Sequence, residues 1–129
     1  MALTYYLKFT RNLEEKPELK KMIENHDNKF FTISDLYSPT FPYVESYFDD
    51  YEINLDLGSA SEIMFRVLKK DAEPISFRKS ILKLVHKITE EIYPKEDYFF
   101  DFNGDLVHEK RENGVVKRNS NTDFYDDLD

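Results

Sequence analysis

One run in this 129-residue chain repeats with the period of an α-helix for about four turns, and most of what surrounds it alternates with the period of a strand. In "SFRKSILKLVHKITEEIYP", Phe77, Ile81, Leu84, Val85, Ile88 and Ile92 fall within about 100° of arc, while Lys79, Lys83, Lys87 and Glu90 lie opposite. Pro94 cannot continue the helix, because its ring removes a donor and clashes with the preceding turn. A single long amphipathic helix has to bury its stripe against something flat and apolar, and the alternating runs supply it. The expected fold class is α+β: a mostly antiparallel β-sheet with one long and one short helix packed on it.

The strands and turns are read as follows. "ALTYYLKFT" puts Leu3, Tyr5, Leu7 and Phe9 on one face and Thr4, Tyr6, Lys8 and Thr10 on the other, a half-buried strand. "RNLEEKPELKKMIENHDN" is a short helix with an apolar stripe of Leu19, Met22 and Ile23, closed by "HDN". Asn12 and Glu15 offer a capping box, and Pro17 places the regular start nearer itself. "KFFTIS" is a second strand, ended by the prolines of "SPTFP". Ile53, Leu55 and Leu57 alternate, as do Ile63, Phe65 and Val67 after "GSAS", so the two runs are expected to pair as a hairpin with an acidic outer row on the first. Asn103-Gly104 and Asn113-Gly114 suit turns with positive φ, giving strand, turn, strand, turn and a short polar edge strand. Residues 1–118 are read as a single α+β domain. "SNTDFYDDLD" has no periodicity, so residues 119–129 are read as a mobile acidic C-terminal tail.

Charge is segregated. Of the net −8, residues 30–65 contribute −7 with no Lys or Arg, residues 119–129 contribute −4, and the remainder is +3. Such a zone repels nucleic acid and attracts basic protein surfaces, so neither nucleic acid nor a membrane is an expected partner. No apolar run is long enough to span a bilayer, and "MALTYYLKFTR" lacks the basic start and apolar core of a signal peptide. The absence of cysteine excludes disulfides and thiolate zinc sites and fits a cytoplasmic location.

Catalytic patterns are missing, and the chain is expected to be a non-enzyme without cofactor or metal. "GSAS" precedes a strand, whereas a hydrolase elbow leads into a helix. His26, His86 and His108 show no metal-ligand spacing, and each is read as structural. Asp101, Asn103, Asp105 and Glu112 mimic a calcium loop, but glycine falls fourth where the motif needs it sixth. The carboxylate pairs Asp49/Asp50 and Glu90/Glu91 lack apolar neighbours that would separate two pKa values. The lysine row on the long helix reads as a solvated face.

The acidic stretch also holds nine of the chain's twenty aromatics: Phe30, Phe31, Tyr37, Phe41, Tyr43, Tyr47, Phe48, Tyr51 and Phe65. Any one of them is more simply core, yet tyrosines among carboxylates supply contact area at low entropy cost and charge that speeds encounter with a basic target. A protein-binding surface is therefore expected, with Asp35, Glu45, Tyr47, Asp49, Asp50, Tyr51, Glu52 and Asp56 as candidate contacts. A small, acidic, cysteine-free α+β chain opening with "MALTYYLKF", with a central hairpin and a C-terminal "FFDFNGDLVHE" hairpin, resembles bacterial immunity proteins of polymorphic-toxin and contact-dependent inhibition systems. That resemblance implies a cytoplasmic antitoxin that binds one cognate toxin domain, often a basic nuclease, and blocks its active site or substrate path. It carries over no functional residue. Three alternatives stand beside it. A DNA-mimic inhibitor would want evenly spaced acids, whereas four of the seven central ones crowd into residues 49–56. A small enzyme would need a nucleophile, metal set or phosphate loop. A structural interaction protein is the plainest reading.

Overall fold

The computed structural model describes residues 3–26, 30–40, 43–49, 51–68, 74–120, 122, 124–126 and 128. In chain order the elements are β1 (Thr4–Phe9), α1 (Pro17–Glu24), β2 (Phe31–Ile33), β3 (Tyr43–Phe48), β4 (Tyr51–Asp56), β5 (Ser61–Val67), α2 (Pro74–Lys87), β6 (Tyr98–Phe102), β7 (Leu106–Glu112) and β8 (Val115–Arg118). A π-helical segment, Ile88–Ile92, extends α2. The fold is α+β. Its sheet runs β2-β5-β1-β6-β7-β3-β4, with β8 also paired to β7. Among the described residues every strand pairing is antiparallel except the contact of β3 with β7 at Tyr47 and Leu106.

Strand alternation divides the core in two. On one face Leu7, Phe9, Ile63, Phe65, Tyr98 and Phe100 are covered by Leu19 and Met22 of α1 and by Phe77, Ile81, Val85, Ile88 and Ile92 of the long helix. Lys79, Lys83 and Lys87 point to solvent, as the helical period requires. On the opposite face Phe99 and Val107 meet Val44, Phe48 and Ile53, the inner side of the β3–β4 hairpin. Residues 98–101 are accordingly buried on both faces, which is why "YFFD" shows no polar alternation.

Both Asn-Gly pairs form turns with positive φ, at 53° and 76° for Asn103 and Gly104 and 53° and 80° for Asn113 and Gly114. Pro17 occupies the first turn of α1 and no side chain caps that helix. The capping box is therefore corrected: Asn12 Oδ1 accepts from Ser38 Oγ and Glu15 Oε2 accepts from the Leu36 amide, tying the approach to α1 onto the loop after β2. Of the closing "HDN", Asp27 and Asn28 lie outside the described residues.

The expected hairpin between the Ile53 and Ile63 runs is also corrected. β4 pairs with β3, and β5 is flanked by β1 and β2. Tightness of connection decides it: β4 begins three residues after β3 ends and the register runs from Phe48–Tyr51 outward, with Asp49 at φ 54°, whereas 57–60 form a crossover. β3 escapes an apolar-pattern search because tyrosines take two of its three outward places.

The C-terminal segment does not trail away. Phe124 is 2% exposed within the helix-side core, Arg78 Nη1 donates to the Phe124 and Asp126 carbonyls at 2.7 and 3.0 Å, and Asn119 Nδ2 donates to the Val107 carbonyl at 2.7 Å. Phe124, with Tyr125 and Leu128 packed against the same core, docks a segment that has no periodicity. Asp123, Asp127 and Asp129 lie outside the described residues.

Candidate functional site

The β3–β4 register aligns the outward rows of the two strands. Tyr43 pairs with Asp56, Glu45 with Asn54 and Tyr47 with Glu52, and since directly paired residues share a face, these six side chains form one surface. All six are exposed, the two tyrosines at 50% and 58%. Three carboxylates thus sit beside two phenol rings with no lysine or arginine on either strand. The Asp56 carboxylate is steadied by the Gly58 amide at 2.9 Å. The hydrophobic inner row holds the hairpin to Phe99 and Val107, so the outer row stands on a packed base.

Glu45, Tyr47, Glu52 and Asp56 of the sequence candidates are brought together here. The others are not. Tyr51 points to the opposite face, 5.8 Å from the Phe48 ring, and accepts from Lys110 Nζ at 3.0 Å. Asp49 anchors the hairpin turn: its Oδ1 accepts from the Ser120 amide at 2.7 Å and Oγ at 2.8 Å, and these bonds hold its carboxyl below the usual range. Its own amide donates to Asn119 Oδ1 at 3.0 Å. Asp35 is exposed in the connection after β2, a strand that pairs with β5 and not with the hairpin. Asp50 lies outside the described residues. Tyr43, not among the sequence candidates, joins this face, as its parity with Glu45 and Tyr47 signals.

Two polar networks elsewhere are built inward. Glu109, 1% exposed, accepts from His86 Nε2 at 3.0 Å, Tyr98 Oη at 2.6 Å and Tyr125 Oη at 3.1 Å, with Arg118 Nε at 3.8 Å. Burial pushes its carboxyl up, but the hydrogen bonds outweigh that and hold it below the ordinary value. Behind the sheet, Lys8 pairs with buried Asp101 at 2.8 Å and lies opposite Glu62 in register. Burial raises the carboxyl groups of Asp101 and Glu62, while Lys8 opposes the rise in both. The histidines do not converge. His26 meets the Phe31 carbonyl, His86 meets Glu109, and His108 meets Thr122 while stacking on Phe124. Among the described residues no cluster of three or more His, Cys, Asp or Glu could hold a metal ion. Between α1 and α2 runs an open groove of about 820 Å³ with Met22, Phe31 and Ile92 in its floor and Lys21, Lys83 and Lys87 on its rim.

Among the described residues no helix is long and apolar enough to cross a membrane. No protein-family model, curated protein or solved structure matches the chain.

Proposed function

We propose that this chain is a bacterial immunity protein, which binds a cognate toxin domain with a basic surface and neutralises it by covering its active site or substrate path. The observation that carries the reading is the single outward row of Tyr43, Glu45, Tyr47, Glu52, Asn54 and Asp56, acidic and aromatic without an intervening cation. A toxin that handles a phosphate-bearing substrate reserves lysines and arginines for it. Carboxylates on a firm sheet would engage those cations while the tyrosines fill the spaces between them. Opposite charge also raises the encounter rate, which suits an inhibitor that has to act before its target does, in the same cytoplasm.

Co-expression with the C-terminal domain of a large secreted protein encoded next to its gene tests this. Wild-type protein should restore growth. Combined E45K, E52K and D56K substitutions should abolish protection and slow association roughly tenfold or more at low salt, with the fold unchanged by circular dichroism. Full protection by the folded triple variant would overturn the reading. So would the absence of a neighbouring gene for such a protein, or of toxicity in its C-terminal domain.

A further inference from the structure

We infer that the outer edge of β4 is a strand-accepting site, and that its partner is a β-strand with lysine or arginine at two positions four residues apart and apolar residues at the two positions flanking the residue midway between them. The inference rests on the hairpin face being the docking surface and names what docks there.

A sheet edge presents unpaired amides and carbonyls, and proteins ordinarily blunt it by shortness, lysine, proline or a bulge. The described edges differ in this respect. β2 has three residues, and β8 has four and ends in Lys117 and Arg118. β4, "YEINLD", has six, with no Pro, Gly, Lys or Arg, and its register against β3 runs unbroken from Tyr51 to Asp56. No described strand pairs with its outer side. Only acids guard it. In an antiparallel pair of two β4 strands centred on Asn54, each Glu52 would face the Asp56 of a second copy, a like-charge pairing that disfavours self-association. A basic strand meets no such penalty.

The hydrogen-bond phase fixes the pattern further. The Tyr47 amide donates to the Asp105 carbonyl at 3.0 Å, away from β4, so Tyr47–Glu52 is a non-hydrogen-bonded pair and Phe48–Tyr51, Ser46–Ile53 and Val44–Leu55 are the hydrogen-bonded ones. The amides and carbonyls of Glu52, Asn54 and Asp56 therefore point outward, and the same three residues send their side chains to the acidic tyrosine face. An added strand would place alternate residues opposite them: a cation at Glu52, a polar residue at Asn54 and a cation at Asp56. Its intervening residues would lie on the side of Ile53 and of Leu55, which is 40% exposed.

Capped peptides test the edge without the toxin. A peptide with the core Lys-Val-Thr-Val-Lys should slow exchange of the Glu52, Asn54 and Asp56 amides roughly tenfold or more in nuclear magnetic resonance spectra. The Glu-Val-Thr-Val-Glu peptide, and a peptide of scrambled order with the same lysines, should leave them unprotected. N54P removes the central outward donor, at the kind of edge position where proline is tolerated, and should abolish that protection. E52K/D56K should reverse the preference to the glutamate peptide, which keeps the idea testable if N54P misfolds. Binding of the lysine peptide without protection of those amides, or undiminished protection of the neighbouring amides in folded N54P, would overturn the inference. Loss of toxin neutralisation in the charge-reversed variant alongside either result would leave the face reading standing and remove only the edge. Normal amide protection with no toxin rescue would do the reverse.

Discussion

Glu109 shows how far a charged run can depart from a solvated strand. "HEKR" at 108–111 looks like surface, yet all four residues are buried, because each has a specific partner. Glu109 draws donors from α2, β6 and the C-terminal segment; Lys110 meets Tyr51 and Glu112; and Arg111 meets main-chain carbonyls. Polarity read along one strand cannot reveal partners that are distant in sequence, so this part of the interior was not legible. A buried carboxylate stripped of its charge leaves its donors stranded, and E109Q should lose about 3 kcal/mol in urea unfolding. The pH dependence has a definite sign. The hydrogen bond with Glu109 raises His86 above its ordinary 6.5, partly offset by burial, with Glu90 adding to the rise and Arg118 opposing it. Its contribution is therefore complete below about pH 6.5 and fades as pH rises through the folded value. Glu109 is lowered from 4.5, so its share is present above that pH and is lost as pH falls through the depressed value. Melting temperature should accordingly peak between these limits, and H86Q should flatten the alkaline limb. A wild-type curve level from about pH 6 to 9 would contradict this assignment.

The π-helical end of α2 illustrates the same dependence at the level of an element. The Tyr93 amide reaches back five residues to the Ile88 carbonyl at 2.8 Å, and the widened turn leaves main-chain acceptors without helical partners. Arg111 serves them from β7, donating to the Thr89 carbonyl at 3.0 Å, the Tyr93 carbonyl at 2.9 Å and, through Nε, the Glu96 carbonyl at 2.8 Å. Lys16 Nζ caps Ile92 at 2.7 Å. Helical periodicity located the stripe from Phe77 to Ile92 correctly but carries no trace of the π turn, whose cation lies about twenty residues further on. Lysine keeps the charge at 111 without the planar fork. R111K should therefore cost about 2 kcal/mol, and amide exchange should accelerate first around residues 89–96. Acceleration spread evenly over the sheet would assign Arg111 a general packing role instead.

Across the whole molecule, legibility follows how local the determining physics is. The two Asn-Gly turns, the long helix and the alternation of β1 depend on neighbours in sequence and were readable. Half of the acidic candidate set shares one face because Glu45, Tyr47, Glu52 and Asp56 obey strand parity, while β3, the partner of β4, is hidden by the tyrosines in its outward places. The C-terminal segment was the least readable, since its docking depends on two adjacent aromatics and on receptors scattered through the chain. Phe124 stacks on His108 at 4.5 Å and lies 5.6 Å from Phe100, Tyr125 Oη donates to Glu109, and Ser120 holds the Asp49 carboxylate at the hairpin turn. This segment therefore joins the helix-side core to the base of the acidic face. F124A should cost about 3–4 kcal/mol, the usual penalty for emptying a buried phenylalanine site, against almost nothing for a residue on a free tail. The second consequence is directional. Losing the anchor should loosen Ser120 and speed amide exchange at Asp49 and Tyr51 before it affects β1. Unfolding free energy within about 0.5 kcal/mol of wild type would mean that the segment bears no load, and faster exchange confined to residues beyond 119 would mean that the latch and the hairpin are not coupled.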